Sequence, residues 1–138
     1  MVNSLLEQLR RDGHRITRAR EAFLKVLSTS VRPLAVSDLL SELDAAGVRI
    51  NKTTAYRELE FLMARGLVSS VDFGDGSKRF ELVEGEHHHH FVCTSCDKVA
   101  ELEIETRLAS VLRAVVEQTG AKVTGHAVEF FGLCQSCV

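Results

Sequence analysis

Four cysteines occur in this 138-residue chain, all in its last third, as Cys93-x-x-Cys96 and Cys134-x-x-Cys137. Two matched pairs supply four thiolates, and four thiolates complete the tetrahedral shell of a structural Zn²⁺. Thirty-seven residues separate Cys96 from Cys134, more than a compact zinc ribbon uses, so a shared ion would clip together the two ends of the intervening segment. The alternative is two redox-active or simply buried pairs. The first residues contain no apolar signal core, which makes cytoplasmic residence the expectation. In that compartment paired CxxC motifs read as metal ligands before disulfides.

A second group of chemically capable residues precedes the cysteines. His87-His88-His89-His90 is internal, ends three residues before Cys93 and runs into apolar Phe91-Val92. In an extended segment successive side chains alternate faces. His87 and His89 then point one way, and His88 and His90 the other, so one strand can serve two sites. Imidazole suits zinc, iron and related ions, with carboxylates completing either shell. Glu81, Glu101, Glu103 and Glu105 are near enough in sequence to contribute. His126, on the last expected strand, could return to the same region. The plainer readings are a solvated loop or tag remnant for the run, a packed strand histidine for His126, and a solvated strand residue for Glu101.

The third group is basic and hydroxyl-rich. Residues 1–66 hold 11 Lys/Arg and 8 Asp/Glu, net +3, whereas residues 67–138 hold 6 and 11, net −5, giving −2 for the chain. A basic first half suits phosphates. Arg15, Arg18, Arg20 and Arg57 are candidates for phosphates or a minor groove, and Thr53, Thr54 and Tyr56 stand at the start of an expected helix.

The elements that must position these groups change period near residue 67. Before it, apolar stripes at helical spacing fall on Leu5, Leu6 and Leu9, on Ala22, Phe23, Val26 and Leu27, on Leu39, Leu40 and Leu43, and on Tyr56, Leu59, Leu62 and Met63. Thr17 is the expected cap of the second helix and Asn51 or Thr53 that of the fourth. Pro33 marks a break. Strands are predicted over 67–73 and 78–83, joined by the turn Gly74-Asp75-Gly76-Ser77. Helix, turn, helix, hairpin is the layout of a winged helix-turn-helix. After a polar hinge come a strand over 99–104, a helical stripe from Leu108 to Val116 ended by Gly120, and a strand over 122–133. That unit is too small to be secure alone and needs a metal, a partner subunit or both. The fold class is therefore α+β: a winged helix-turn-helix domain over 1–84 and a small α/β metal-binding dimerisation domain with a four-cysteine zinc site over 85–138. No run approaches the roughly 20 apolar residues of a membrane span, so no membrane partner is expected.

In combination these motifs resemble the ferric uptake regulator family of metal-dependent transcription repressors. The matching residues are Arg15-Ile16-Thr17-x-x-Arg20, Thr53-Thr54-Ala55-Tyr56-Arg57, Phe80-Glu81-Leu82, the histidine run with the first CxxC, and His126 followed by Phe131-Gly132-Leu133 and the second CxxC. They span nearly the whole chain in order. The resemblance implies a homodimer on a double-stranded DNA operator, with no small organic substrate. It assigns Cys93, Cys96, Cys134 and Cys137 to structural zinc, and Glu81, His88, His90 and Glu101 to a hinge sensing site. His87, His89 and His126 go to an additional site, with Glu105 or Glu103 standing in for an acidic ligand of the dimerisation helix. Arg15, Arg20, Thr53, Thr54, Tyr56 and Arg57 become the DNA-binding residues.

Three departures qualify it. Many relatives place a hinge histidine where this chain has Arg32-Pro33-Leu34, and an acidic ligand where it has Leu108-Ala109. Iron sensors often carry Asp at the position of His89, while zinc sensors often add a hinge cysteine absent here. The regulatory ion is accordingly Fe²⁺ or Zn²⁺, with Mn²⁺ a further option, and the thiolate-free hinge leans to iron. The rival readings are a zinc-held thiol redox switch, a peroxide-sensing regulator and a metal hydrolase or oxygenase. The sequence has no HExxH or other catalytic motif, so no enzyme is expected.

Overall fold

Side-chain caps begin two helices of the first half. Thr17 accepts from the Arg20 amide at 3.1 Å and opens α2 (Arg18–Thr29). Asn51, rather than Thr53, accepts from the Thr54 amide at 2.8 Å and opens α4 (Lys52–Ala64). Each bond satisfies an amide that has no partner inside the helix. The structure is a computed structural model that describes residues 1–83 and 88–138, and it divides into two units, Met1–Val83 and Glu84–Val138.

The first unit adds α1 (Val2–Arg11), α3 (Val36–Ala45) and a three-stranded sheet. Leu6 and Leu9 of α1, Phe23, Leu24 and Leu27 of α2, and Leu39 and Leu43 of α3 meet Leu59 and Leu62 of α4 in one core. Truncating one such leucine to alanine costs about 2–5 kcal/mol. On α4 the buried stripe is Ala55, Leu59 and Leu62, while Tyr56 is exposed. The apolar spacing predicts Tyr56 on the stripe; instead i, i+4, i+7 spacing from Ala55 turns it outward.

The sheet runs β1 (Leu34–Ala35), β3 (Lys78–Leu82), β2 (Val68–Asp72), antiparallel throughout, with Val68 opposite Leu82 and Asp72 opposite Lys78. The short β1, invisible in the sequence pattern, follows buried Pro33 and pairs Leu34 with Phe80. Gly74 and Gly76 both have φ near +80° in the hairpin turn, a conformation that favours glycine. The Asp72 and Asp75 carboxylates accept from the Gly74 and Ser77 amides. The Ser77 amide, with the Arg79 guanidinium, holds the Asp75 carboxyl down at about 2.

The second unit is β4 (His89–Cys93), β5 (Val99–Leu102), α5 (Glu105–Thr119) and β6 (Glu129–Gly132). Its sheet has the order β5-β4-β6, antiparallel on one side and parallel on the other. The expected strand over 122–133 shrinks to Glu129–Gly132, because the ladder of β6 engages only His90 to Cys93 of β4. The strand over 99–104 ends at Leu102, since Ile104 already serves as the N-cap residue of α5. No residue of α5 is buried; Val111, Val115 and Val116 are exposed, as are Phe130, Phe131 and Leu133.

Candidate metal centres and nucleic-acid interface

Both CxxC pairs sit in tight turns. The Cys93 amide donates to the Lys98 carbonyl at 2.8 Å, and the Asp97 amide returns to the Cys93 carbonyl at 3.0 Å, with Asp97 left-handed at φ 60°. The second turn closes with the Cys137 amide on the Cys134 carbonyl at 2.8 Å. Parallel pairing sets Cys93 opposite Gly132 and so delivers Cys134 beside the first pair. All four Sγ atoms lie within 4.8 Å of one another, with Cys96 and Cys134 at 3.7 Å. A tetrahedral zinc with bonds of 2.3 Å needs sulfur separations of about 3.8 Å, so the cluster fits that ion.

The thiols are electrostatically unequal. The Cys134 amide, donating to Cys93 Sγ at 3.3 Å, is the main reason the Cys93 thiol falls to about 6. The neighbouring Cys134 and Cys96 thiols push Cys137 up to about 12. Four clustered sulfurs cannot all ionise unless a cation offsets their charge.

Strand alternation separates the described histidines. His88 and His90 pack ring to ring, centroids 5.0 Å apart. His89 instead lies against His126 at 5.2 Å. Buried His89 uses Nδ1 to donate to the Val128 carbonyl at 3.1 Å. A carbonyl only accepts, so Nδ1 carries the proton, and in the neutral ring Nε2 holds a lone pair. That Nε2 faces Glu105 Oε2 at 3.2 Å, and His126 Nε2 lies 3.9 Å from the same oxygen. Two imidazoles and a carboxylate converging in this way make a ligand set for a divalent ion. Of the two carboxylates considered for this group, Glu105 is in it, and Glu103 is exposed and outside it. His87 lies outside the described residues.

One residue here was missed by sequence reasoning. Glu129 stands opposite His90 in the parallel ladder, accepts from the His90 amide at 3.1 Å and reaches His90 Nδ1 at 3.2 Å. A carboxylate on the far ring nitrogen fixes the tautomer of a metal-binding histidine. The adjacent residues Val128 and Glu129 thus orient the adjacent residues His89 and His90. No spacing rule exposes this, because it depends on parallel register. On the other side of β4, Glu101 pairs with His90 in the ladder and its side chain is exposed. Glu81 is on β3 of the first unit.

Among the residues read as DNA contacts, Arg15, Thr53, Thr54, Tyr56 and Arg57 are exposed. Arg20 is different: its side chain is 13% exposed and paired with Glu58 at 2.6 Å. A groove within the first unit is lined by Ser37, Lys52, Tyr56, Ser77 and Lys78. Nothing in the sequence pattern marks Lys52, Ser77 or Lys78 as a nucleic-acid contact. Hydroxyls and ammonium groups beside the exposed start of a helix are the donors a phosphate backbone requires.

Comparison with known proteins agrees with this architecture. The profile described as the ferric uptake regulator family matches residues 11–131. The peroxide operon regulator of Bacillus subtilis (strain 168) is 33% identical over 136 residues, covering 99% of this chain and 92% of its own length. The ferric uptake regulation protein of Campylobacter jejuni subsp. jejuni is 34% identical over 134 residues, covering 94% and 83%. The structure of the ferric uptake regulator from Francisella tularensis with iron superposes with a TM-score of 0.76 at 26% identity, covering 91% of this chain and 95% of that one.

Proposed function

Because the chain belongs to the ferric uptake regulator family, we propose that it is a metal-responsive, sequence-specific DNA-binding repressor of metal-uptake and homeostasis genes. It acts in the cytoplasm as a homodimer on a double-stranded operator. The Met1–Val83 unit is the winged-helix head, reading the major groove with α4. The other unit is the dimerisation domain, and the exposed apolar residues of α5 and β6 support that role, since patches of this kind mark association surfaces. No helix among the described residues is long and apolar enough to cross a membrane. The named relatives are regulators rather than enzymes.

Zn²⁺ at Cys93, Cys96, Cys134 and Cys137 is the structural ion. Fe²⁺ or Zn²⁺, with Mn²⁺ as a further option, is the regulatory one. The observation that carries the metal-responsive reading is the division of adjacent β4 histidines, with His89 joining His126 and Glu105 while His88 packs with His90. Glu81, His88, His90 and Glu101 are the proposed sensing ligands; His87, His89, His126 and Glu105 are the additional set. Ligands drawn from both units let occupancy bias the DNA-binding heads, provided the ion binds one arrangement more tightly than the other. A bound divalent cation supplies the positive charge that gathers these ligands. The protein's own groups fix tautomers and positions.

Anaerobic titration of the zinc-bound protein with Fe²⁺, Mn²⁺ and Zn²⁺, read out by operator binding, tests the proposal. Affinity should rise with one ion, and a flat response to all three overturns it. The similarity to a peroxide operon regulator favours one further reading, in which the Fe²⁺-loaded sensing set responds to peroxide. Peroxide treatment of the iron-loaded protein should then add oxygen to the peptide holding His88 and His90 and release DNA.

A further inference from the structure

The turn between α1 and α2 carries Arg15, and side chains of α2 and α4 fix its position. Glu58 and Phe61 share one face of α4 at i, i+3 spacing, and Arg65, its C-cap residue, follows four positions after Phe61. Arg20, in the first turn of α2, reaches across to that face. Its Nε donates to Glu58 Oε1 at 2.6 Å and its Nη2 to Oε2 at 3.1 Å, the bidentate geometry of a strong pair. The same guanidinium lies 3.7 Å from the centroid of the Phe61 ring. Its Nη1 donates to the backbone carbonyl of Arg15 at 2.7 Å.

Arg65 secures the neighbouring residue of the turn. It stacks on Phe61 at 3.5 Å. Two guanidiniums that close to one centroid must take opposite faces of the ring, each as a cation–π contact. Arg65 Nε donates to His14 Nε2 at 3.0 Å, and the His14 ring stands edge-on to Phe61 at 5.1 Å. His14 is therefore tied by its ring and Arg15 by its carbonyl, while the Arg15 side chain is exposed.

We propose that Arg20 is a positioning residue for DNA binding and not a phosphate contact. With Glu58 it locks the Arg15 turn to α4, so that the Arg15 side chain and the exposed Thr53, Tyr56 and Arg57 are presented as one body. This rests on the DNA-binding reading above. Two features argue against a direct phosphate role. All three named nitrogens of the guanidinium are engaged within the protein, and the Glu58 carboxylate, itself 14% exposed, cancels the charge a phosphate would seek.

The lock makes a prediction of opposite sign to simple electrostatics. Removing an acidic side chain from a DNA-binding surface ordinarily tightens binding; Glu58→Ala should weaken it. The probe is a duplex selected from a random-sequence library by the full-length wild-type chain loaded with Zn²⁺ or Fe²⁺. Glu58→Ala should lower affinity roughly 3-fold or more, and should no longer weaken binding in an Arg15→Ala background, since coupled sites are not additive. Tighter or unchanged binding by Glu58→Ala overturns the proposal. So does an Arg20→Ala variant that, in the Arg15→Ala background, still lowers the salt slope by the roughly 0.9 expected for one phosphate. Failure of the wild type to select any duplex removes the DNA-binding reading and the proposal together, whereas failure confined to the variants removes only the lock. A second measurement needs no DNA: ¹⁵N relaxation on free Glu58→Ala should show backbone order lost over residues 13–16 with α2 and α4 intact. Retained order there overturns the proposal.

Discussion

Nε2 of His89 and Oε2 of Glu105 face each other at 3.2 Å, while the other ring nitrogen of His89 is committed to the Val128 carbonyl. An imidazole nitrogen and a carboxylate oxygen so placed can close together on one divalent cation. Glu105→Gln should therefore weaken binding of a divalent ion in the second unit and leave the cysteine-bound zinc in place. Calorimetric titration of the zinc-bound protein checks this. An unchanged isotherm would remove Glu105 from the ligand set.

Cys96→Ser should lose about one tightly bound zinc per chain, because a four-thiolate site tolerates a missing ligand poorly. Elemental analysis after gel filtration reads the zinc, and the same elution position reads dimerisation. A mutant that retains zinc and stays dimeric contradicts the assignment.

Glu129→Gln isolates orientation from ligation. The amide keeps its shape but no longer offers a full negative charge to His90 Nδ1, now 3.2 Å away. Affinity for the regulatory ion should fall by roughly 10- to 100-fold, the usual effect of removing such a partner. The ¹⁵N shifts of the His90 ring should show a changed tautomer balance. Unaltered shifts and affinity would reduce Glu129 to a packing role.

Loss of metal response should separate the two histidine sets. Glu81→Ala and His90→Ala should abolish metal-stimulated DNA binding, a coupling of about 1–3 kcal/mol in typical cases, with dimer and zinc retained. His87→Ala and His126→Ala should chiefly lower dimer stability. Operator affinity with and without metal for the four variants decides the matter; the reverse pattern would move the sensor into the dimerisation domain.

Tyr56→Ala and Arg57→Ala should each weaken operator binding by about 1–3 kcal/mol if they reach base edges, without altering metal content. Normal footprints from both would place the DNA surface elsewhere.

The two CxxC pairs and the histidine run carried the candidate metal chemistry in the sequence alone, because metal ligands are constrained in residue type and short-range spacing. Strand parity is equally local, so the separation of His89 from His88 and His90 could be read before any coordinates. The caps at Thr17 and Asn51 and the Gly74-to-Ser77 turn follow from backbone geometry over a few residues. Only the tertiary structure decided the rest. Parallel register of β6 on β4 set Glu129 against His90, a relation between residues 39 apart that no periodicity encodes. The same register delivered Cys134 to Cys93. The sequence offers Arg20 as a phosphate contact; the fold instead pairs its guanidinium with Glu58 and stacks it on Phe61. Local rules say which groups a segment offers; which of them remain available to a ligand depends on what the rest of the fold brings within hydrogen-bond reach.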